Sequence, residues 1–218
     1  MANGDDHLEL RIVGVEPAEE IAGARRISLR TTRGAIPIVL HAAEGATRAA
    51  VCVSGARGGL DGPALLYARM GAELPKRGIA IARVDYRAPN DFAECLLDAL
   101  AAVAFLKGVG YRRAALVGHS LGGAVAINAG TLNPIVAAVV AISSQLAGAQ
   151  VVNELAPKPL LLIHGTADEI LAPRGSELIF ERAGEPRQLE LIEGGDHRLS
   201  GFGDRLLELV GAWLAARL

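Results

Sequence analysis

The sequence predicts an α/β fold built on one mostly parallel sheet of eight strands with helices on both faces. Three observations carry this. Short apolar runs alternate with longer stretches of helical spacing, the order that parallel crossovers require. Runs such as "AAVCVS" (49–54) and "PLLLI" (159–163) are apolar at nearly every position, as strands covered on both faces are. With 218 residues, 51% hydrophobic and 21% charged, the chain can bury a large core and is read as a single domain over 1–218.

The elements follow in order. "RISLRTT" (26–32) and "AIPIVLH" (35–41) flank a short Arg-Gly turn and read as an antiparallel pair. "AAVCVS" is the next strand and stops at a glycine loop. "GPALLYARMGAELPKRG" (62–78) has helical spacing and a closing glycine. "IAIARV" (79–84) is a strand. "NDFAECLLDALAAVAFLKGVG" (90–110) begins on Asn-Asp, carries an apolar face and ends on glycine, so it reads as a helix. "RAALVG" (113–118), "PIVAAVVAISS" (134–144), "KPLLLIHG" (158–165) and "RQLELIE" (187–193) are strands. "LGGAVAINAGT" (121–131), "RGSELIFERAG" (174–184) and "GFGDRLLELVGAWLAARL" (201–218) are helices.

Composition narrows the function classes. A formal net charge of −2 offers no electrostatic case for nucleic acid or an anionic membrane. Cys52 and Cys95 have neither metal-ligand spacing nor a disulfide framework, and two free thiols suit a reducing cytoplasm. The opening "MANGDDHLEL" lacks the basic and apolar regions of a signal peptide. The run "IVAAVVAI" (135–142) is too short to span a bilayer. No metal or organic cofactor is indicated, and the expected partner is a small molecule.

In a parallel sheet the working residues lie just past the strand ends. Ser120 follows "RAALVG", Asp168 follows "KPLLLIHG" and His197 follows "RQLELIE". The segment "GHSLG" (118–122) matches G-x-S-x-G between a strand and a helix, a turn that projects the serine hydroxyl above the sheet. Asp168 competes with Glu169 and Asp196 for the acid role. Asp196 adjoins His197, and neighbouring side chains diverge. The remaining histidines have ordinary readings: His7 in the tail, His41 ending a strand, His119 inside the turn, and His164 bonding its local loop.

In these motifs the chain resembles the α/β-hydrolase family over nearly its whole length. "GHSLGG" is similar to the family's nucleophile elbow, "HGTADEILAP" to its acid loop and "GGDHRLS" to its histidine loop. "VSGARGG" (53–59) is similar to the loop that lends an oxyanion-hole amide, although Ser54-Gly55 stands where the family usually has His-Gly. "DYR" (85–87) resembles a structural feature. The resemblance implies Ser120 as nucleophile, His197 as base and Asp168 as its orienter. The Leu121 and Ala56 amides would form the oxyanion hole, with Arg57 the second choice for the latter. Arg57 also lies where a substrate carboxylate could be met. "QLAGAQVVNELAPK" (145–158) is too short for a cap domain, so the likeness is to small uncapped serine esterases and dienelactone-hydrolase-like proteins. Dienelactone hydrolases proper carry a cysteine where this chain has Ser120. The implied activity is cleavage of small carboxylic esters or thioesters. The alternatives are an acyltransferase or peptidase using the same triad, and a non-catalytic ligand-binding protein on the same scaffold.

Overall fold

The computed structural model describes residues 9–21 and 23–218. His7 lies outside them. The strands are β1 (Ile12–Ile21), β2 (Ala24–Thr31), β3 (Gly34–His41), β4 (Arg48–Val53), β5 (Ile79–Val84), β6 (Arg113–His119), β7 (Val136–Ile142), β8 (Leu160–Gly165) and β9 (Arg187–Ile192). The helices are α1 (Leu66–Glu73), α2 (Phe92–Gly108), α3 (Leu121–Leu132), α4 (Arg174–Arg182) and α5 (Gly203–Arg217). They form a nine-stranded sheet in the order β1-β2-β3-β5-β4-β6-β7-β8-β9. β1, β2, β3 and β5 pair antiparallel in succession, and β4 to β9 are mutually parallel.

The sheet has one strand more than the expected eight. β1 is the added edge strand, and its sequence "IVGVEPAEEI" holds Gly14 and Pro17 in place of an alternating apolar pattern. An edge strand tolerates proline because one side of its backbone needs no ladder partner. The stretch 62–78 also departs from one continuous helix. A 3₁₀ turn at Pro63–Leu65 precedes α1, and another at Pro75–Arg77 follows it. Pro63 and Pro75 suit the starts of such turns, where no backbone N–H is required.

Successive residues of the central strands face opposite layers. In β4, Ala49, Val51 and Val53 join the core beneath α2, α3 and α4, while Ala50 and Cys52 join the core beneath α1 and α5. Small residues on β4 and β6 let these layers approach closely. α2 starts on Asp91, whose carboxylate accepts the Glu94 amide at 3.1 Å, a conventional N-cap. Between β7 and β8 the only helical turn is 3₁₀, Gln150–Leu155, so no cap domain rises there.

The chain order creates a switch point. From β4 the chain passes to β5 on one side, then crosses to β6 on the other. The loops after β4 and β6 therefore diverge above the sheet, where open α/β sheets form crevices. Among the described residues no helix is long and apolar enough to cross a membrane.

Candidate active site

Ser120 sits in the turn between β6 and α3 with φ 58° and ψ −119°, a conformation that non-glycine residues adopt at a cost of about 1–3 kcal/mol. Backbone contacts on every side hold it there. The Ser120 amide donates to the Ile142 carbonyl at 2.9 Å, and its carbonyl accepts from the Gly123 and Gln145 amides at 3.0 and 3.2 Å. The flanking glycines are required sterically. A Cβ on Gly118 would lie 1.9 Å from the Gly122 carbonyl oxygen, and one on Gly122 would lie 2.4 Å from that of Ser54. Ser120 is half-buried, and among the described residues its hydroxyl makes no hydrogen bond.

Past β8, Asp168 turns back toward the histidine loop that follows β9. Its Oδ2 accepts the His197 Nδ1–H at 2.8 Å. Its Oδ1 accepts the Ile170 and Leu171 amides, each at 2.8 Å. Burial alone would raise the Asp168 pKa. The Leu171 amide, His197 and the Ile170 amide outweigh it and hold the carboxyl below its usual range. The two loops are clamped by backbone. A Cβ on Gly165 would lie 2.1 Å from the Gly195 carbonyl oxygen, and the Ala167 amide donates to that same oxygen at 2.9 Å. The rival acids are otherwise engaged: Asp196 accepts the Ser200 amide at 2.7 Å within its own loop, and Glu169 is exposed.

The loop after β4 passes over the serine. A Cβ on Gly55 would lie 3.1 Å from the Ser120 Cβ. The Ser54 hydroxyl donates to the Gly59 carbonyl at 2.5 Å, and the Gly59 amide donates to Asp85 Oδ1 at 2.8 Å. Asp85, the first residue of "DYR", thus shapes this loop, while Arg87 bonds Asp98 on α2 through Nε at 2.5 Å. Among the described residues the Ala56, Arg57 and Leu121 amides have no hydrogen-bond partner. Arg57 is exposed and forms no ion pair among them.

The model for the alpha/beta hydrolase family matches residues 50–216, most of the chain and every loop just described. The chain belongs to the alpha/beta hydrolase family. Among curated proteins this chain is 30% identical over 166 residues to YfhR of Escherichia coli K12, a protein described as uncharacterized. That match covers 61% of the chain, which spans 57% of the relative's length. Among solved structures it resembles a dienelactone hydrolase from Anabaena variabilis, with TM-score 0.76 and 19% identity over 90% of this chain and 99% of that one. It also resembles Est1E from Butyrivibrio proteoclasticus, with TM-score 0.74 and 17% identity over 90% and 99%. At such identity these likenesses establish the shared fold.

Two further histidines of the chain reach the site in ways the sequence did not disclose. His119 Nε2 is 2.9 Å from the His197 carbonyl oxygen and must donate to it, since a carbonyl only accepts. The two rings stand 4.9 Å apart at 49°. Burial, the largest influence, pushes the His119 pKa down to about 4. His164 bonds its local loop as expected, through the Leu171 carbonyl at 3.0 Å, and also touches Asp168 Oδ2 at 3.0 Å. The cysteines have no part here. Burial pushes the Cys52 and Cys95 thiols up to about 12, leaving neither as a nucleophilic thiolate near neutrality. Among the described residues no group of three or more His, Cys, Asp or Glu could hold a metal ion.

Proposed function

We propose that this chain is a serine hydrolase that cleaves small carboxylic esters or thioesters through an acyl-enzyme intermediate. The observation that carries this is the 2.8 Å bond from His197 Nδ1 to Asp168, past the same edge of the sheet as a strained Ser120 whose hydroxyl has no hydrogen-bond partner among the described residues. With Nδ1–H committed to Asp168, the His197 Nε2 lone pair is left to act as base. Ser120 Oγ attacks the acyl carbon as Nε2 takes its proton. The carbonyl π electrons move onto oxygen, which the free Leu121 and Ala56 amides would receive. A donor of this kind is worth about 2.7–4 kcal/mol in other enzymes. Collapse expels the alcohol or thiol, which takes the proton back from Nε2. Water, deprotonated by the same nitrogen, then attacks the acyl carbon, and collapse releases the acid as Nε2 returns the proton to Ser120 Oγ.

The missing cap argues for small substrates. Each buried methylene contributes about 0.8 kcal/mol, and a site without a lid collects little of this along a long chain. Buried free thiols are compatible with a cytoplasmic setting. Two measurements test the proposal. A fluorophosphonate probe should label the wild-type protein at Ser120, and failure to label would favour a ligand-binding protein on the same scaffold. Across p-nitrophenyl esters from acetate to palmitate, kcat/KM should peak at acyl groups of about two to six carbons. A maximum at dodecanoate or beyond would refute the small-substrate assignment.

A further inference from the structure

His164 interrupts an otherwise apolar strand, "LLLIHG", and its side chain is wholly buried. A buried imidazole is costly unless both ring nitrogens are bonded. Here both are. Nδ1 lies 2.7 Å from the hydroxyl of Ser176, itself buried on α4. Nε2 lies 3.0 Å from Asp168 Oδ2 and 3.0 Å from the Leu171 carbonyl oxygen. The carbonyl can only accept, so Nε2 carries a proton. A ring protonated on Nδ1 alone would aim its bare Nε2 at two acceptors. The neutral Nε2–H ring accepts the Ser176 O–H at Nδ1 and satisfies every partner.

We infer that His164 is a positioning residue: it donates Nε2–H to Asp168 and thereby fixes the carboxylate plane and tempers its pull on His197. This rests on the hydrolase reading of Ser120, Asp168 and His197. The Ile170 and Leu171 amides hold Oδ1, so rotation of the carboxylate would break bonds on both oxygens. Oδ2 divides its charge between His164 and His197. Removing His164 leaves Oδ2 bonded to His197 alone, which strengthens that bond and favours the imidazolium. The other charged and titratable groups near His197 are His119 on β6 and Asp196 and Arg198 on its own loop, while Glu169 adjoins Asp168 in the chain and is exposed. Arg57 stands on the loop over Ser120. The comparison below leaves all of them unchanged.

The first test needs no variant. ¹⁵N NMR of the full-length wild-type protein should show His164 protonated at Nε2, and a bare Nε2 would overturn the inference. In His164→Phe, His197 should titrate about half a pH unit or more above wild type. The acid limb of kcat/KM should move with it. kcat should fall about tenfold, the scale on which indirect partners of reacting groups act elsewhere, with KM nearly constant. His164→Gln, whose amide can still donate to Oδ2, should recover most of both changes. A folded Phe variant with unmoved His197 titration would refute the inference. If His164→Phe does not fold, the wild-type tautomer and the Gln variant decide. Should the wild type hydrolyse no ester, the hydrolase reading fails, while the NMR measurements still judge the role of His164.

Discussion

The Ser120 turn and the Asp168 loop lie at the same edge of the sheet with β7 between them, and although backbone packs against glycine in both, they differ in what fixes the functional side chain. The turn is steric: glycines at 118 and 122 admit backbone where no side chain would fit. The loop is polar: Asp168 is fixed by two amides and two imidazoles. The steric device tolerates almost no change of shape but is indifferent to charge. The polar one can keep its shape and lose its function through the exchange of one atom. Chemistry and architecture should therefore separate under mutation.

The largest separation is expected at the serine. Ser120→Ala deletes one oxygen and leaves the turn's backbone contacts intact. Ester turnover should fall by about 10⁶ in kcat, as for nucleophile loss in a well-studied serine protease. Stability in urea should change by no more than about 0.5 kcal/mol. Turnover at the parent rate, with contaminants excluded, would rule out Ser120 as nucleophile.

At the polar loop the comparison is between two aspartates. Asp168→Asn keeps the shape but presents an N–H or a weaker acceptor to His197, favouring the wrong tautomer. The expected loss is about 10⁴ in kcat, the scale known for a well-studied triad. Asp196→Asn keeps an oxygen for the Ser200 amide and should cost less than about tenfold. Equal, small losses in steady-state assays would show that Asp168 does not orient the base.

The same contrast explains what could be read in advance. G-x-S-x-G is local: five consecutive residues contain the whole steric argument. The parallel strands β4 to β8 were legible because each contains a contiguous apolar run, whereas the edge strand β9, "RQLELI", mixes polar and apolar positions. β1 was not legible, since Gly14, Pro17 and its glutamates mask an edge strand that needs no apolar alternation. The partners of Asp168 were only partly legible. His164 stands four residues away, but nothing in "HGTAD" reveals that its ring turns to the carboxylate rather than to solvent. The task of Asp85, bracing Gly59 from a different strand, depends on long-range register that no motif encodes.

The steric device should fail through stability. In Gly118→Ala the new carbon would lie 1.9 Å from a backbone oxygen, which can move only if β6 and α3 separate. Overpacking of this kind should cost about 3 kcal/mol or more. Gly108→Ala is the control: it ends α2 with nothing within 4 Å of the added carbon, so stability should hold or rise slightly. Urea denaturation of the two variants checks this. A fully stable Gly118→Ala would mean that the elbow is looser than its contacts imply.

The two devices meet at His119, which belongs to the steric turn but bonds the carbonyl of His197, so acid should strain this joint. The folded-state pKa of His119 is pushed down to about 4, mainly by burial, against the ordinary 6.5. The folded protein therefore favours the neutral ring, and below 6.5 the unfolded chain binds more protons. The stabilisation is complete above about 6.5 and is lost progressively as pH falls toward about 4, reaching roughly 3 kcal/mol at most. Asp168 acts in a lower window. Its depressed pKa stabilises the fold above the unfolded value of about 3.9 and is lost only below it. His41 shares the sign of His119, its pKa lowered by burial and by Arg83, so a variant must isolate the effect. His119→Gln keeps an N–H for the His197 carbonyl and removes the titration. Between pH 7 and 5 the wild type should lose roughly 2 kcal/mol more unfolding free energy than this variant. Urea midpoints at the two pH values measure the difference. If both proteins lose stability in parallel, His119 takes up its proton without disturbing the fold, and the joint between turn and loop is not where acid acts.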